Sequence, residues 1–190
     1  MLGLVNHAFE AFVRDTYGRS AWQAATQRAL VPFDRFEPLL PYPDDMTVQV
    51  VAAAADVLNR TDDTLLEDFG TWLVSGRSGE RLRRLLRFGG AGFIDFLFSL
   101  EELPDRVLLA LPDFRLPSIR VIEGRDGMFQ LFSGDLFPGA HHVMIGTLRA
   151  MADDYGSLVL IDGGPSEIRL QLLDARHASG RAFTLAMEAS

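Results

Sequence analysis

Ser118-Ile-Arg-Val-Ile-Glu-Gly-Arg-Asp-Gly-Met-Phe-Gln-Leu-Phe-Ser133 is the stretch at which the chain changes its period. Apolar and polar residues alternate over residues 118–123 and again over 128–133, the two-residue repeat of a half-buried strand. Between them Asp126-Gly127 supplies two residues that accept positive φ, so the stretch reads as a β-hairpin. Downstream, residues 138–154 carry a helical pattern with Pro138 in its first turn. Residues 157–161 and 167–174 then flank Asp162-Gly-Gly-Pro165 as a second hairpin, and residues 181–187 can add a strand.

Upstream the period is helical. Val48, Val51, Ala52, Ala55 and Leu58 form an apolar stripe at i, i+3, i+4, i+7 and i+10. Asn59 suits a left-handed stop, and Thr61 or Asp62 suits the cap of a helix running to Ser75-Gly76. Ser78 opens a further helix with Leu82, Leu85 and Leu86 inward, Arg81, Arg83, Arg84 and Arg87 outward, and Gly89-Gly90 at its end. Ser99 and Glu102 have capping-box spacing, which starts another helix at Leu100 and puts Pro104 near its first turn. Helices followed by an antiparallel sheet with one inserted helix make an α+β fold.

At 190 residues the chain suits a single domain spanning residues 1–190. The net charge of −8 argues against non-specific nucleic-acid binding, and every one of the 18 basic residues is arginine. Without lysine there is no Schiff-base chemistry, and without cysteine there is no disulfide and no thiolate metal site. No apolar run reaches the ~20 residues of a membrane span. The first residues lack a basic leader, so the expected location is cytoplasmic. Adjacent carboxylates such as Asp44-Asp45, Asp62-Asp63, Glu101-Glu102 and Asp153-Asp154 serve capping and solvation. No phosphate loop, nucleophile elbow or dinucleotide glycine pattern is present, so no enzyme activity is expected.

An ordered series of phrases spans the chain: Leu2-Gly3-Leu4-Val5-Asn6, Tyr17-Gly18, Trp22, Tyr42-Pro43-Asp44, Leu65-Leu66-Glu67-Asp68-Phe69-Gly70, Leu85-Leu86-Arg87-Phe88-Gly89-Gly90 and Phe93-Ile94-Asp95-Phe96-Leu97. Together with Ser99-Leu-Glu-Glu-Leu-Pro104 it resembles the H-NOX family, the haem nitric-oxide/oxygen binding (HNOB) domains related to the sensor of soluble guanylate cyclase. The resemblance implies a distal helical part over residues 1–60 and proximal helices with the sheet over 61–190. It also implies haem as cofactor, nitric-oxide sensing, and a separate signalling protein of histidine-kinase or cyclase type as partner.

What the resemblance implies for the pocket is residue-specific. Its distal wall corresponds to Val5, Phe9, Val74 and Met144, all apolar, with no hydroxyl to hold oxygen. On the proximal side the family's iron-ligating histidine is matched by Pro104, whose ring offers a metal no lone pair. Pro117 matches the proline that presses on the macrocycle. The family's Tyr-x-Ser-x-Arg grip on the haem propionates falls on Phe132, Gly134 and Leu136; a register one residue later puts Ser133, Asp135 and Phe137 there. With both devices lost, His7, His141 and His142 are the alternative axial ligands, and His177 sits in a polar loop. The expectation is a sensor domain with a degenerate haem pocket, open to a hydrophobic small molecule or a tetrapyrrole. The competing expectation is a haem-free scaffold whose Phe96, Phe98, Phe132 and Phe137 fill the space.

Overall fold

In the computed structural model the described residues are 3–75, 80–87 and 90–174. Leu2, Gly76, Ser78, Phe88, Gly89, His177 and the strand expected at 181–187 lie outside them, as do the side chains of Asp44 and Arg81. The helices are α1 (Leu4–Tyr17), α2 (Arg19–Arg28), α3 (Asp44–Leu58), α4 (Asp62–Ser75), α5 (Glu80–Arg87), α6 (Phe93–Ser99), α7 (Leu103–Ala110) and α8 (Ala140–Asp154). The strands are β1 (Ile119–Glu123), β2 (Met128–Ser133), β3 (Leu158–Gly164) and β4 (Glu167–Asp174). They form one antiparallel sheet in the order β1-β2-β4-β3, with α8 inserted between its two hairpins. This is an α+β fold.

Local chemistry sets several boundaries. Asp126 (φ 56°) and Gly127 (φ 72°) make the primed turn of the first hairpin, whose handedness matches the strand twist. Asn59 takes the left-handed conformation that stops α3. The Thr61 hydroxyl accepts the Thr64 amide and caps α4. Other boundaries differ from the sequence reading. α3 buries Thr47, Val50, Val51, Ala54 and Ala55, while Val48 is exposed, so its inner face is rotated from the expected stripe. Pro138 lies in the turn before α8, and Gly139 (φ 90°) leads into the helix. The second hairpin turns at Pro165-Ser166, because β3 runs on through Gly164.

The capping box at Ser99 does not form. Ser99 is still helical, and its hydroxyl donates back to the Phe96 carbonyl (2.7 Å), so α6 leads directly through a 3-10 turn (Leu100–Glu102) into α7. Glu101 instead accepts the Val121 amide (2.8 Å) and fastens this turn to β1. Pro104 falls in the first turn of α7, where its missing N–H leaves no helix bond unmade.

Two buried clusters hold the molecule. One joins α1–α4 and is rich in aromatic edges: Phe9, Phe12 and Phe69 lie 5.4–5.9 Å apart, centroid to centroid. The other lies between the sheet, α6 and α8, around Phe96, Phe129, Leu131 and Leu148. α4 belongs to both, giving Leu65, Leu66 and Phe69 to the first and Val74 to the second.

α4 and α8 bind the clusters together by a very close crossing. A Cβ at Gly70 would run into the Val143 carbonyl oxygen, and one at Gly146 into that of Glu67. That approach lets Thr147 donate to the Gly70 carbonyl (3.2 Å) and Thr71 to the Gly146 carbonyl (3.3 Å). Among the described residues no helix is long and apolar enough to cross a membrane.

Candidate functional site: an apolar cavity between the two clusters

Together with α1, α5, α7 and β2, the helices α4 and α8 line a cavity of about 400 Å³. Its wall is almost wholly hydrophobic. α1 supplies Val5 and Ala8, α4 supplies Leu73, and α8 supplies Met144. From the opposite side Leu100, Leu103 and Val107 present one stripe of the α7 region, while Pro117 and Gly134 lie side by side. A cavity of this size and polarity suits a small hydrophobic molecule.

The structure distributes the sequence-derived positions unevenly. Val5, Met144, Pro117, Gly134 and Leu136 line the cavity. Phe9 does not: it is 2 % exposed and packed among Phe12 and Phe69, and Ala8 takes the wall position. Val74 likewise packs into the sheet cluster, and Leu73 takes its place. Pro104 is half-buried on the flank of α7 outside the wall, which Leu103 and Val107 form one turn apart.

Phe132 stands on the outer face of the sheet. It pairs with Arg120 on β1 and Glu167 on β4, and its neighbours Leu131 and Ser133 point inward. Strand parity thus turns Ser133 rather than Phe132 toward the cavity, and beyond the strand Gly134, Asp135, Leu136 and Phe137 all border it. Each displacement is by one residue, which is enough to turn a side chain to another face.

The three histidines have separate fates. His7 donates from Nδ1 to the Phe36 carbonyl (2.9 Å) and is outside the wall. His142 faces α4, with Nε2 3.1 Å from Asp63 Oδ1 and Nδ1 3.5 Å from Glu67 Oε1. His141 alone of the three lines the cavity. Its Nδ1 is buried, 3.5 Å from Asp135 Oδ1, and its backbone amide donates to that same oxygen (3.1 Å). Asp135 thus holds the first turn of α8, whose N-cap is Gly139, and brings its carboxylate beside the His141 imidazole on the cavity wall. The sequence held a trace of this arrangement, an aspartate shortly before a helix start, but not its position on the cavity.

The cavity lacks the family's proximal imidazole. No imidazole projects from the α7 wall, where Leu103 and Val107 stand. No arginine lines the cavity among the described residues, and the carboxylate that reaches its wall, Asp135, has the sign that repels propionates. Among the described residues no group of three or more histidine, aspartate or glutamate side chains converges to hold a metal.

Comparison with known proteins places this architecture. The family model for haem-NO-binding domains matches residues 2–162. Soluble guanylate cyclase 89Db of Drosophila melanogaster is 21 % identical over 158 residues, covering 83 % of this chain and 24 % of that protein. Soluble guanylate cyclase gcy-31 of Caenorhabditis elegans is 22 % identical over 178 residues, covering 93 % of this chain and 24 % of that protein. The chain thus spans about a quarter of the length of these curated relatives. The unliganded Fe(II) H-NOX protein from K. algicida superposes with a TM-score of 0.76 at 17 % identity, covering 92 % of this chain and 97 % of that one. An oxygen-binding H-NOX domain related to soluble guanylate cyclases superposes at 0.69 with 12 % identity, covering 92 % and 96 %. With the fold matched over nine-tenths of the chain and the family model running over most of the sequence, the chain belongs to the haem-NO-binding (H-NOX) family.

Proposed function

We propose that this chain is a sensory domain of the H-NOX family that reads occupancy of its cavity by a small hydrophobic molecule, without histidine-ligated haem. The observation that carries this reading is a retained cavity whose described wall has no imidazole on α7 and no arginine. The volume of about 400 Å³ exceeds the ~300 Å³ at which small-molecule sites begin, which favours a ligand over a filled-in scaffold. Of the four phenylalanines that could fill the space, Phe96 and Phe137 border it, Phe98 is partly exposed and Phe132 faces outward. The domain itself is a sensor with no catalytic step of its own.

Signalling would pass through the segment from Leu100 to Val107, because it forms one wall of the cavity and is tied to β1 by Glu101. A ligand that binds one position of this wall better than the other shifts its population, with no iron–histidine bond to break. The partner reading the shift is a separate signalling protein of cyclase or histidine-kinase type, in keeping with the guanylate cyclases among the relatives.

Haem titration of the purified protein tests the proposal. The expected result is no absorption band of five-coordinate histidine haem, with or without haem supplied during expression. Tight haem binding that one of His7→Ala, His141→Ala or His142→Ala abolishes would replace this reading with a non-standard axial ligand.

A further inference from the structure

We infer that the cavity discriminates by head-group charge, admitting uncharged or cationic apolar molecules and rejecting carboxylates, with the Asp135–His141 pair as the selecting group. The inference rests on the ligand-cavity reading above and adds the chemical class of the ligand.

Three features of the polar end lead to it. First, the N-terminus of α8 lies there, and a helix N-terminus is normally a place where an anion is welcome. Here its donors are already spent on the protein itself. The Ala140 amide donates to the Phe137 carbonyl (2.9 Å), the His142 amide to the Gly139 carbonyl (3.0 Å), and the His141 amide to Asp135. Second, the carboxylate at this end is the protein's own, Asp135, an exposed residue whose side chain reaches the cavity wall beside His141 Nδ1. A ligand carboxylate entering here would lose its water and meet a like charge. Third, the other acidic residue of the wall, Glu167, is engaged on the outer face of the sheet, accepting from Gln130 (3.0 Å) and lying 3.8 Å from Arg169. Arg169 is therefore paired outside the chamber and does not line it. What remains for a ligand is a hydrophobic chamber with an acceptor carboxylate and an imidazole edge at one end. A hydroxyl or ammonium group meets that end with complementary chemistry.

The test is competition of Nile red from the full chain by decanol, decanoate and decylammonium, which share one apolar chain and differ in head group. Decanol and decylammonium should displace the dye at concentrations about tenfold or more below decanoate. General hydration also penalises decanoate, so the deciding comparison is Asp135→Asn, which keeps a capping oxygen for α8. It should strengthen decanoate several-fold, weaken decylammonium, and leave decanol unchanged. An equal response of the three ligands in wild type, or an unchanged ranking in Asp135→Asn, would overturn the charge selection while leaving the cavity as a ligand site. Ala8→Phe, which drives a ring into the chamber, should suppress dye binding. If no dye binds in wild type, or Ala8→Phe leaves binding intact, both the charge selection and the ligand-cavity reading fail.

Discussion

The same two helices, α4 and α8, make a backbone-to-backbone contact at one place and help line the apolar cavity at another. At the crossing, Gly70 and Gly146 bring backbone against backbone and threonine hydroxyls bridge the helices in both directions. Toward the N-terminus of α8 the side chains of Leu73, Met144 and His141 face open space instead. The difference teaches that the cavity is not loose packing. Its frame is fixed by contacts that a single methyl group would break, so the chamber keeps its shape whether or not its wall retains any particular chemistry.

The comparison is broken most severely at the crossing itself. Gly146→Val should cost about 3 kcal/mol or more, because the added carbons meet the Glu67 main chain, which cannot move without displacing α4. Urea denaturation would register this as a lower midpoint, and an unchanged midpoint would show that the helices can part cheaply. Next comes a contrast between core and wall. Leu148→Ala, at a fully buried position of the sheet cluster, should lose about 3 kcal/mol. Val107→Ala, on the cavity wall, should lose under about 1 kcal/mol, since the residue is only partly buried and borders the cavity. Similar losses at the two sites would mean that the cavity is filled or collapsed in solution.

A smaller effect is visible only in alkali. Burial raises the Tyr155 phenol above its ordinary range, against the opposing pull of the Arg87 guanidinium; its hydroxyl donates to the Gly90 carbonyl (3.3 Å). The unfolded phenol titrates near pH ~10 and the folded one higher, so the contribution is whole below about pH 10 and declines as pH climbs through the folded value. Tyr155→Phe should flatten that alkaline decline. A decline identical to wild type would assign it elsewhere.

The sequence made legible those features that depend on local chemistry: the Asp126-Gly127 hairpin, the Asn59 stop, the Thr61 cap, and the change of period that separates helices from sheet. Facing was less legible. Ala8 in place of Phe9, Leu73 in place of Val74, Leu103 beside Pro104, and Ser133 beside Phe132 are all offsets of one residue. On a helix that step is a rotation of about 100°, and on a strand a complete reversal. Which residue faces inward is decided by how α1, α4 and α7 roll against their neighbours and by the pairing of β2 with β4, none of which a one-dimensional pattern contains. Ser99 failed as a cap for a related reason: α6 does not end there, so the hydroxyl had a helical carbonyl within reach.

The central claim is that the H-NOX cavity is retained here while its haem chemistry is not. The most direct measurement is quantitative pyridine haemochrome analysis of the protein purified from cells grown with added haem precursor. The account predicts no stoichiometric haem in the wild-type chain. One haem per chain would contradict it.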